Sequence, residues 1–297
     1  MLFADIELAA RIEAAQGQLM AECTAATARR RPEATTWVER IAGGVATIAG
    51  AGSPLNKVVG LGFAGPVDGT ELGAAFEPVE QAFARAGLPV QVELSTLADP
   101  SILPVLVARG YALTGFEHVL GRPLSSEAPG DAPDDTPGEV WGAIDDDVEI
   151  APCGEDELNV WLDALVTGFV HPDRQGVPSH EEFPREALER VIGDMASTPG
   201  FVRYLARRRG EPAGGGGLWI SQRQALLCGA ATVPAHRRHG IQTALLRARL
   251  HEAMRASCDL AVVTVLPGSR SQHNVQRQGF VLLYTRAVLV RESPTSS

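Results

Sequence analysis

The segment VPAHRRHGIQTALLRARL, Val233 to Leu250, concentrates chemistry that most of the chain lacks. Arg237, Arg238 and His239 lead into Gly240, after which Ile241, Leu245 and Ala248 recur at helical spacing, with Leu246, Leu250 and Ala253 on the adjoining face. The spacing predicts a helix that starts directly behind a buried strand. Such a start leaves its first backbone N–H groups without partners and carries the positive end of the helix dipole, so an anion placed there is stabilised. Gly240 lets a bulky phosphate come close to the backbone and tolerates the angles of a tight turn. Arg237 and Arg238 add charge and forked donors suited to phosphate oxygens. Together these residues read as a cradle for a pyrophosphate group.

Other candidates carry weaker chemistry. Cys23, Cys153, Cys228 and Cys258 form no CxxC pair, which argues against a zinc site or a disulfide framework. Cys228 stands on an apolar strand and reads as a core thiol. His171, His180, Glu181 and Glu182 match no metal template and read as a solvated acidic loop, so no metal is expected. The run Gly214–Gly217 lacks a following Lys-Ser/Thr and reads as a flexible hairpin element rather than a phosphate loop. The formal net charge of −10 argues against general affinity for nucleic acid and favours cationic small molecules over polyanions. No apolar run approaches the roughly 20 residues that span a bilayer, and the amino terminus is acidic where a secretory leader is basic, so a cytoplasmic location is expected.

These residues need elements to hold them. The stretch from Arg122 to Val140 is rich in Pro, Gly, Ser and Asp, and divides the 297 residues into a first domain at 1–124, a linker at 125–139 and a second domain at 140–297. The halves resemble each other. Pairing Gly110 with Gly279 fixes an offset of 169, at which VQVELSTLADP falls without a gap on DLAVVTVLPGS, and VVGLGFAGPVDGTELGAAF on LCGAATVPAHRRHGIQTAL. Each half reads as strand, loop, helix, strand, helix, strand, with a right-handed crossover between its parallel strands. In the first half Leu72, Ala75, Phe76, Val79 and Phe83 mark the helix, which Pro78 is expected to kink or restart. The fold class is therefore α/β, in the α+β mixed-sheet sense: two tandem domains, each a central mixed β-sheet flanked by helices.

VPAHRRHGIQTALL resembles the acyl-coenzyme A pyrophosphate loop of the GCN5-related N-acetyltransferase (GNAT) family, whose pattern is Arg or Gln, two residues, Gly, one residue, then Gly or Ala. Arg237 and Gly240 match the first two fixed positions; Gln242 departs from the third, though its own N–H can still donate. The resemblance extends from Val148 to Glu292, through a leading strand at VEIAPC, a helix at ELNVWLDALVTGF, a hairpin from Phe201 to Thr232 and a closing SQHNVQRQGF. It implies that Thr232, Val233, Arg237, Arg238, His239, Gly240, Ile241, Gln242 and Thr243 bind acetyl-coenzyme A. Asn274 is expected on the pantetheine or adenosine side and reads equally as a helix cap. The resemblance further places the pantetheine arm between LLCGAAT and AVVTV, and an oxyanion-binding N–H near Val233. The family's acid, a tyrosine four residues before the closing Gly-Phe, falls on Val275. Tyr284 is the nearest phenol and the candidate catalytic residue, with a structural role as its competing reading.

At the same offset Arg237, Arg238 and Gly240 fall on Asp68, Gly69 and Glu71, which puts carboxylates where phosphates would sit. The first half therefore reads as a degenerate acetyltransferase-like domain. What the resemblance implies is an N-acetyltransferase that moves an acetyl group from acetyl-coenzyme A to a primary amine on a small cationic molecule, by direct attack in a ternary complex. The alternative is a non-catalytic acyl-coenzyme A-binding sensor or regulatory protein, raised by the missing tyrosine. No nucleic-acid or membrane partner is expected, and the chain is either a monomer whose tandem domains form a pseudo-dimer or a homodimer.

Overall fold

The computed structural model describes residues 2–65, 68–124, 145–172 and 184–293. The predicted linker at 125–139, with His180, Glu181 and Glu182, lies outside the described residues. Two compact units emerge, one of residues 3–119 with 283–297, the other of residues 120–282.

The first unit contains α1 (Ile6–Arg30), β1 (Thr36–Ile41), β2 (Gly44–Ala49), β3 (Lys57–Val59), α2 (Gly69–Arg85), β4 (Val90–Ser95), α3 (Ile102–Ala108) and most of β5 (Ala112–Pro123). Its strands run in the order β1-β2-β3-β4-β11-β5, where β11 (Val281–Arg291) is the last strand of the chain. β3 and β4 are parallel, whereas β1–β2, β2–β3 and β4–β11 are antiparallel, so the sheet is mixed. Phe76, Val79 and Phe83 of α2 and Ile102 and Leu106 of α3 pack on Val58, Val92 and Leu94. That packing carries α2 as one helix through Pro78, without the restart that was one of the two expectations; the proline forfeits one backbone bond, and the buried apolar face offsets the loss.

β11 departs from the sequence-based domain limits. That division puts 140–297 in one domain, yet β11 lies beside β4 in the first unit, with Arg286 opposite Ser95 and Arg291 opposite Val90. The pairing is fixed by charge as well as by register. Arg286 and Glu13 are each 1% exposed, and the Arg286 Nε donates to Glu13 Oε1 at 2.8 Å. The Tyr284 hydroxyl donates to the same oxygen at 2.8 Å, while Glu93, also buried, pairs with Lys57. One strand thus supplies the cation that a carboxylate buried in α1 requires.

The second unit contains β6 (Val148–Pro152), α4 (Leu158–Val170), α5 (Arg185–Ala196), β7 (Phe201–Arg208), β8 (Glu211–Ser221), β9 (Gln224–Thr232), α6 (Ile241–Arg255), β10 (Leu260–Val265) and α7 (Arg270–Gln276). The end of β5, from Leu120, also belongs to it, giving the order β5-β10-β9-β8-β7-β6. β6 to β9 pair antiparallel in succession, and β10 joins β9 in parallel. Shifting the starts of α2, β4, α3 and β5 by the 169-residue offset reaches the starts of α6, β10, α7 and β11 to within a few residues.

The glycine run is not a flexible hairpin element. Gly214–Gly217 lies buried in the middle of β8, and a Cβ on Gly215 would fall 3.0 Å from Trp161 Nε1, while one on Gly217 would overlap the Phe201 ring. Absent side chains let large neighbours close on the strand.

Acid should loosen the first unit through Glu80. Burial pushes this carboxyl up, but Arg109 (Nε–Oε1 2.9 Å, Nη2–Oε2 2.6 Å) and Arg291 outweigh it, and the net shift is downward. A depressed folded pKa contributes stability above the unfolded value of about 4.3, and that stability is lost as pH falls through the folded value. Glu80→Gln is expected to lower stability at pH 7 by about 1–3 kcal/mol and to flatten the decline below pH about 5, as read by urea denaturation; parallel curves for the two proteins would contradict this.

Candidate functional site

A cleft of about 660 Å³ opens in the second unit among β9, β10, α6 and α7. Its origin is a ladder that stops early. β9 and β10 pair at Gln224–Leu260, Ala225–Ala261 and Leu226–Val262, although β9 continues to Thr232 and β10 to Val265. Beyond that point β9 bulges: Gly216 faces Ala230 and Gly217 faces Cys228, which leaves Gly229 as the extra residue, in the left-handed region at φ 41°. A bulge bends its strand and increases the local twist, so the two strands part. Leu227, Gly229, Ala230 and Ala231 on one side and Val263 and Thr264 on the other line the gap.

The loop after β9 turns through a short 3-10 segment, Pro234–His236, then through left-handed Arg238 (φ 70°) and Gly240 (φ 77°) into α6. α6 has no side-chain cap. Its first closed backbone bond runs from the Ala244 N–H to the Gly240 carbonyl at 2.9 Å, and the N–H groups of Ile241, Gln242 and Thr243 have no acceptor among the described residues. A left-handed N-cap is a conformation that favours glycine, which accounts for Gly240.

Eight of the residues singled out from the sequence converge here: Thr232, Arg237, Arg238, Gly240, Ile241, Gln242, Thr243 and Asn274 all line the cleft. Gln242 Nε2 donates to Thr232 Oγ1 at 3.1 Å, tying the helix start to the end of β9. Arg237 donates to the carbonyls of Gly168 and His171 and so anchors the end of α4 at the cleft rim. Three residues are placed differently. Val233 does not line the cleft, and its N–H donates to the Ala213 carbonyl at 3.0 Å, which removes it as an oxyanion donor. His239 turns aside, its Nδ1 2.6 Å from Asp145 Oδ2. Tyr284 belongs to the first unit, where its hydroxyl is spent on Glu13; burial and that carboxylate push its pKa well up, and a phenol so held is structural. Val275, at the tyrosine position of the family pattern, forms part of the cleft wall.

The electrostatics of the cleft oppose those of the chain. Arg237, Arg238, Arg249, Arg270 and Arg277 line it, and no aspartate or glutamate does so among the described residues. Net charge averages over the surface and missed this local reversal; the expectation that polyanions are disfavoured does not apply to the cleft. Arg249 escaped sequence reading, although its position, four residues after Leu245 and three after Leu246, put a charge inside the apolar arc of α6.

The equivalent helix start in the first unit is closed. Asp68 is the N-cap of α2, and its Oδ1 accepts from the N–H groups of Thr70 at 2.8 Å and Glu71 at 3.0 Å. A carboxylate of the chain itself occupies the place of an exogenous anion.

Residues 165–280 match the model of the Acetyltransferase (GNAT) family. Three solved structures share the fold at low identity. A GCN5-related N-acetyltransferase from Kribbella flavida is similar over 97% of this chain and 96% of its own, at 18% identity and TM-score 0.66. A tandem GNAT protein from the clavulanic acid biosynthesis pathway is similar over 93% and 89%, at 14% identity and TM-score 0.60. A GCN5-related N-acetyltransferase from Sphaerobacter thermophilus is similar over 87% and 76%, at 17% identity and TM-score 0.54. No curated protein sequence matches the chain.

If the Asp68 carboxylate serves only as a cap, Asp68→Ala should cost about 1 kcal/mol of stability, seen as a lowered urea midpoint, with coenzyme A affinity unchanged. A loss of coenzyme A binding would instead give the first unit's helix start a ligand role.

Proposed function

We propose that the second unit, whose residues 165–280 match the GNAT family model, is an N-acetyltransferase that takes its acyl group from acetyl-coenzyme A and acts on a primary amine of a small cationic molecule. The observation that carries this reading is the open start of α6: unpaired N–H groups at Ile241–Thr243, behind a left-handed Gly240, in a cleft walled by arginines. The residues present fit the donor. The N–H groups of Ile241–Thr243 and the guanidinium of Arg238 would hold its diphosphate, and the β9 and β10 backbones, where their ladder has stopped, would hold its amide-bearing arm. Asn274 stands on the opposite wall, on α7.

Acetyl-coenzyme A, when bound, supplies an activated acyl carbonyl on a sulfur leaving group. The chain's part is mainly positioning and charge placement. With the Val233 N–H engaged by Ala213, the donor to the carbonyl oxygen falls to the bulged segment at Gly229 and Ala230, where β9 slips out of register with β8. Phe169 and Pro172 line the α4 side. A water-mediated base, or an acceptor amine already partly neutral, removes the nitrogen's proton.

Calorimetry with coenzyme A tests the binding half. Arg237→Glu with Arg238→Glu, or Gly240→Val alone, should weaken binding at least about tenfold, whereas Asp68→Lys with Glu71→Lys should leave it nearly unchanged. Thiol release from acetyl-coenzyme A in the presence of aminoglycosides, polyamines and amino acids tests the catalytic half. Tight binding without release above background, across that pool, would favour the sensor reading, for which the valine at position 275 is the supporting observation.

A further inference from the structure

Arg249, in the third turn of α6, is only 4% exposed and lines the cleft. Its Nε donates to the Leu245 carbonyl at 3.0 Å and its Nη1 to the Gly217 carbonyl at 3.3 Å; Nη2 has no acceptor, and no carboxylate pairs with the group, among the described residues. Arg286 makes the contrast, since it is as deeply buried but holds Glu13 at 2.8 Å. Two carbonyl dipoles do not neutralise a guanidinium, and taking such a cation out of water costs several kcal/mol unless an anion answers it. Burial pulls its pKa down to about 10, which still leaves it protonated at neutral pH. The strand above makes room for it, because a Cβ on Gly216 would fall 3.3 Å from Arg249 Cζ.

Its place along the cleft narrows the choice of an anion that could answer it. Gly217 faces Cys228, so the carbonyl that Arg249 holds belongs to the rung next to the Gly229 bulge. From Gly240 to Arg249 the helix rises about 13 Å at 1.5 Å per residue, a span that an extended pantetheine arm covers. The other cleft arginines stand elsewhere: Arg237 and Arg238 at the helix start, Arg270 and Arg277 on or just after α7. Cys228 is the titratable neighbour contributed by β9.

Resting on the proposed acyl-coenzyme A site, we infer that Arg249 is the counter-ion of the coenzyme A sulfur and holds it as the thiolate that departs during acyl transfer. The carbon–sulfur bond breaks with its electron pair left on sulfur, the acyl carbon bonds to the acceptor nitrogen, the nitrogen's proton passes to water, and the guanidinium keeps its own protons. A leaving group stabilised in this way needs no phenol, which agrees with Val275 in the cleft wall and Tyr284 bound to Glu13.

The test compares coenzyme A with desulfo-coenzyme A, which lacks the thiol, by calorimetry on the intact protein from pH 6 to 9.5, with thiolate absorbance as a second measure. A free thiol titrates near 8.5; in the complex its midpoint should fall by at least about one unit, equivalent to a tenfold gain of coenzyme A over the desulfo analogue at high pH. Arg249→Gln should abolish the gain while binding desulfo-coenzyme A as before, Arg249→Lys should keep part of it, and Cys228→Ala all of it. An unshifted thiol in the wild-type protein overturns the inference whether or not the variants fold. So does a gain that persists in Arg249→Gln, or a preference for acyl donors ending in a carboxylate without a thiol shift. Failure of both ligands to bind would overturn the acyl-coenzyme A site itself, and this inference with it.

Discussion

A helix that begins behind a strand presents N–H groups the helix cannot satisfy, and most of the chemistry of this protein follows from how that deficit is met. The duplicated units meet it in opposite ways. In the first, Asp68 folds back on Thr70 and Glu71 and closes the helix start with a charge of its own. In the second, Gly240 brings the chain in left-handed, no side chain caps α6, and the donors face a cleft. The N-cap residue, Asp68 in one unit and Gly240 in the other, separates a self-satisfied helix start from one whose first N–H groups stay open to a cleft.

The bulge at Gly229 and the glycines of β8 complete the arrangement. The bulge ends the β9–β10 ladder and so creates a gap with backbone on both walls. The glycines let Trp161 close on β8 through Gly215 and leave space for Arg249 at Gly216. A strand of ordinary side chains would hold its neighbours farther off and leave no room for a buried cation.

Local chemistry was legible in the sequence and pairing was not. The helix start at Gly240 and the placing of Arg237, Arg238 and Asn274 at one cleft could be read because caps, dipoles and helical periods are properties of a few consecutive residues. The placement of β11 could not, because β5 and β11 hold equivalent positions in a repeat and carry interchangeable patterns; nothing in the run from Val281 to Arg291 says that its partner is β4. The same blindness misplaced Tyr284, whose partner Glu13 lies far away in the chain. Val233 was misassigned because its bond to Ala213 depends on the β8–β9 register. Arg249 could have been noticed as a charge within an apolar arc, but its burial and its lack of a carboxylate are facts of packing.

The placement of β11 also bears on the order of events at the ribosome. Residues 3–119 are made before the second unit, yet their sheet lacks an internal strand and Glu13 lacks its cation until Arg286, which follows the whole second unit in sequence, has been made. Folding by halves as they emerge is therefore closed to this protein. The early product must wait, with an open strand edge that is a hazard for aggregation, until β11 has been made.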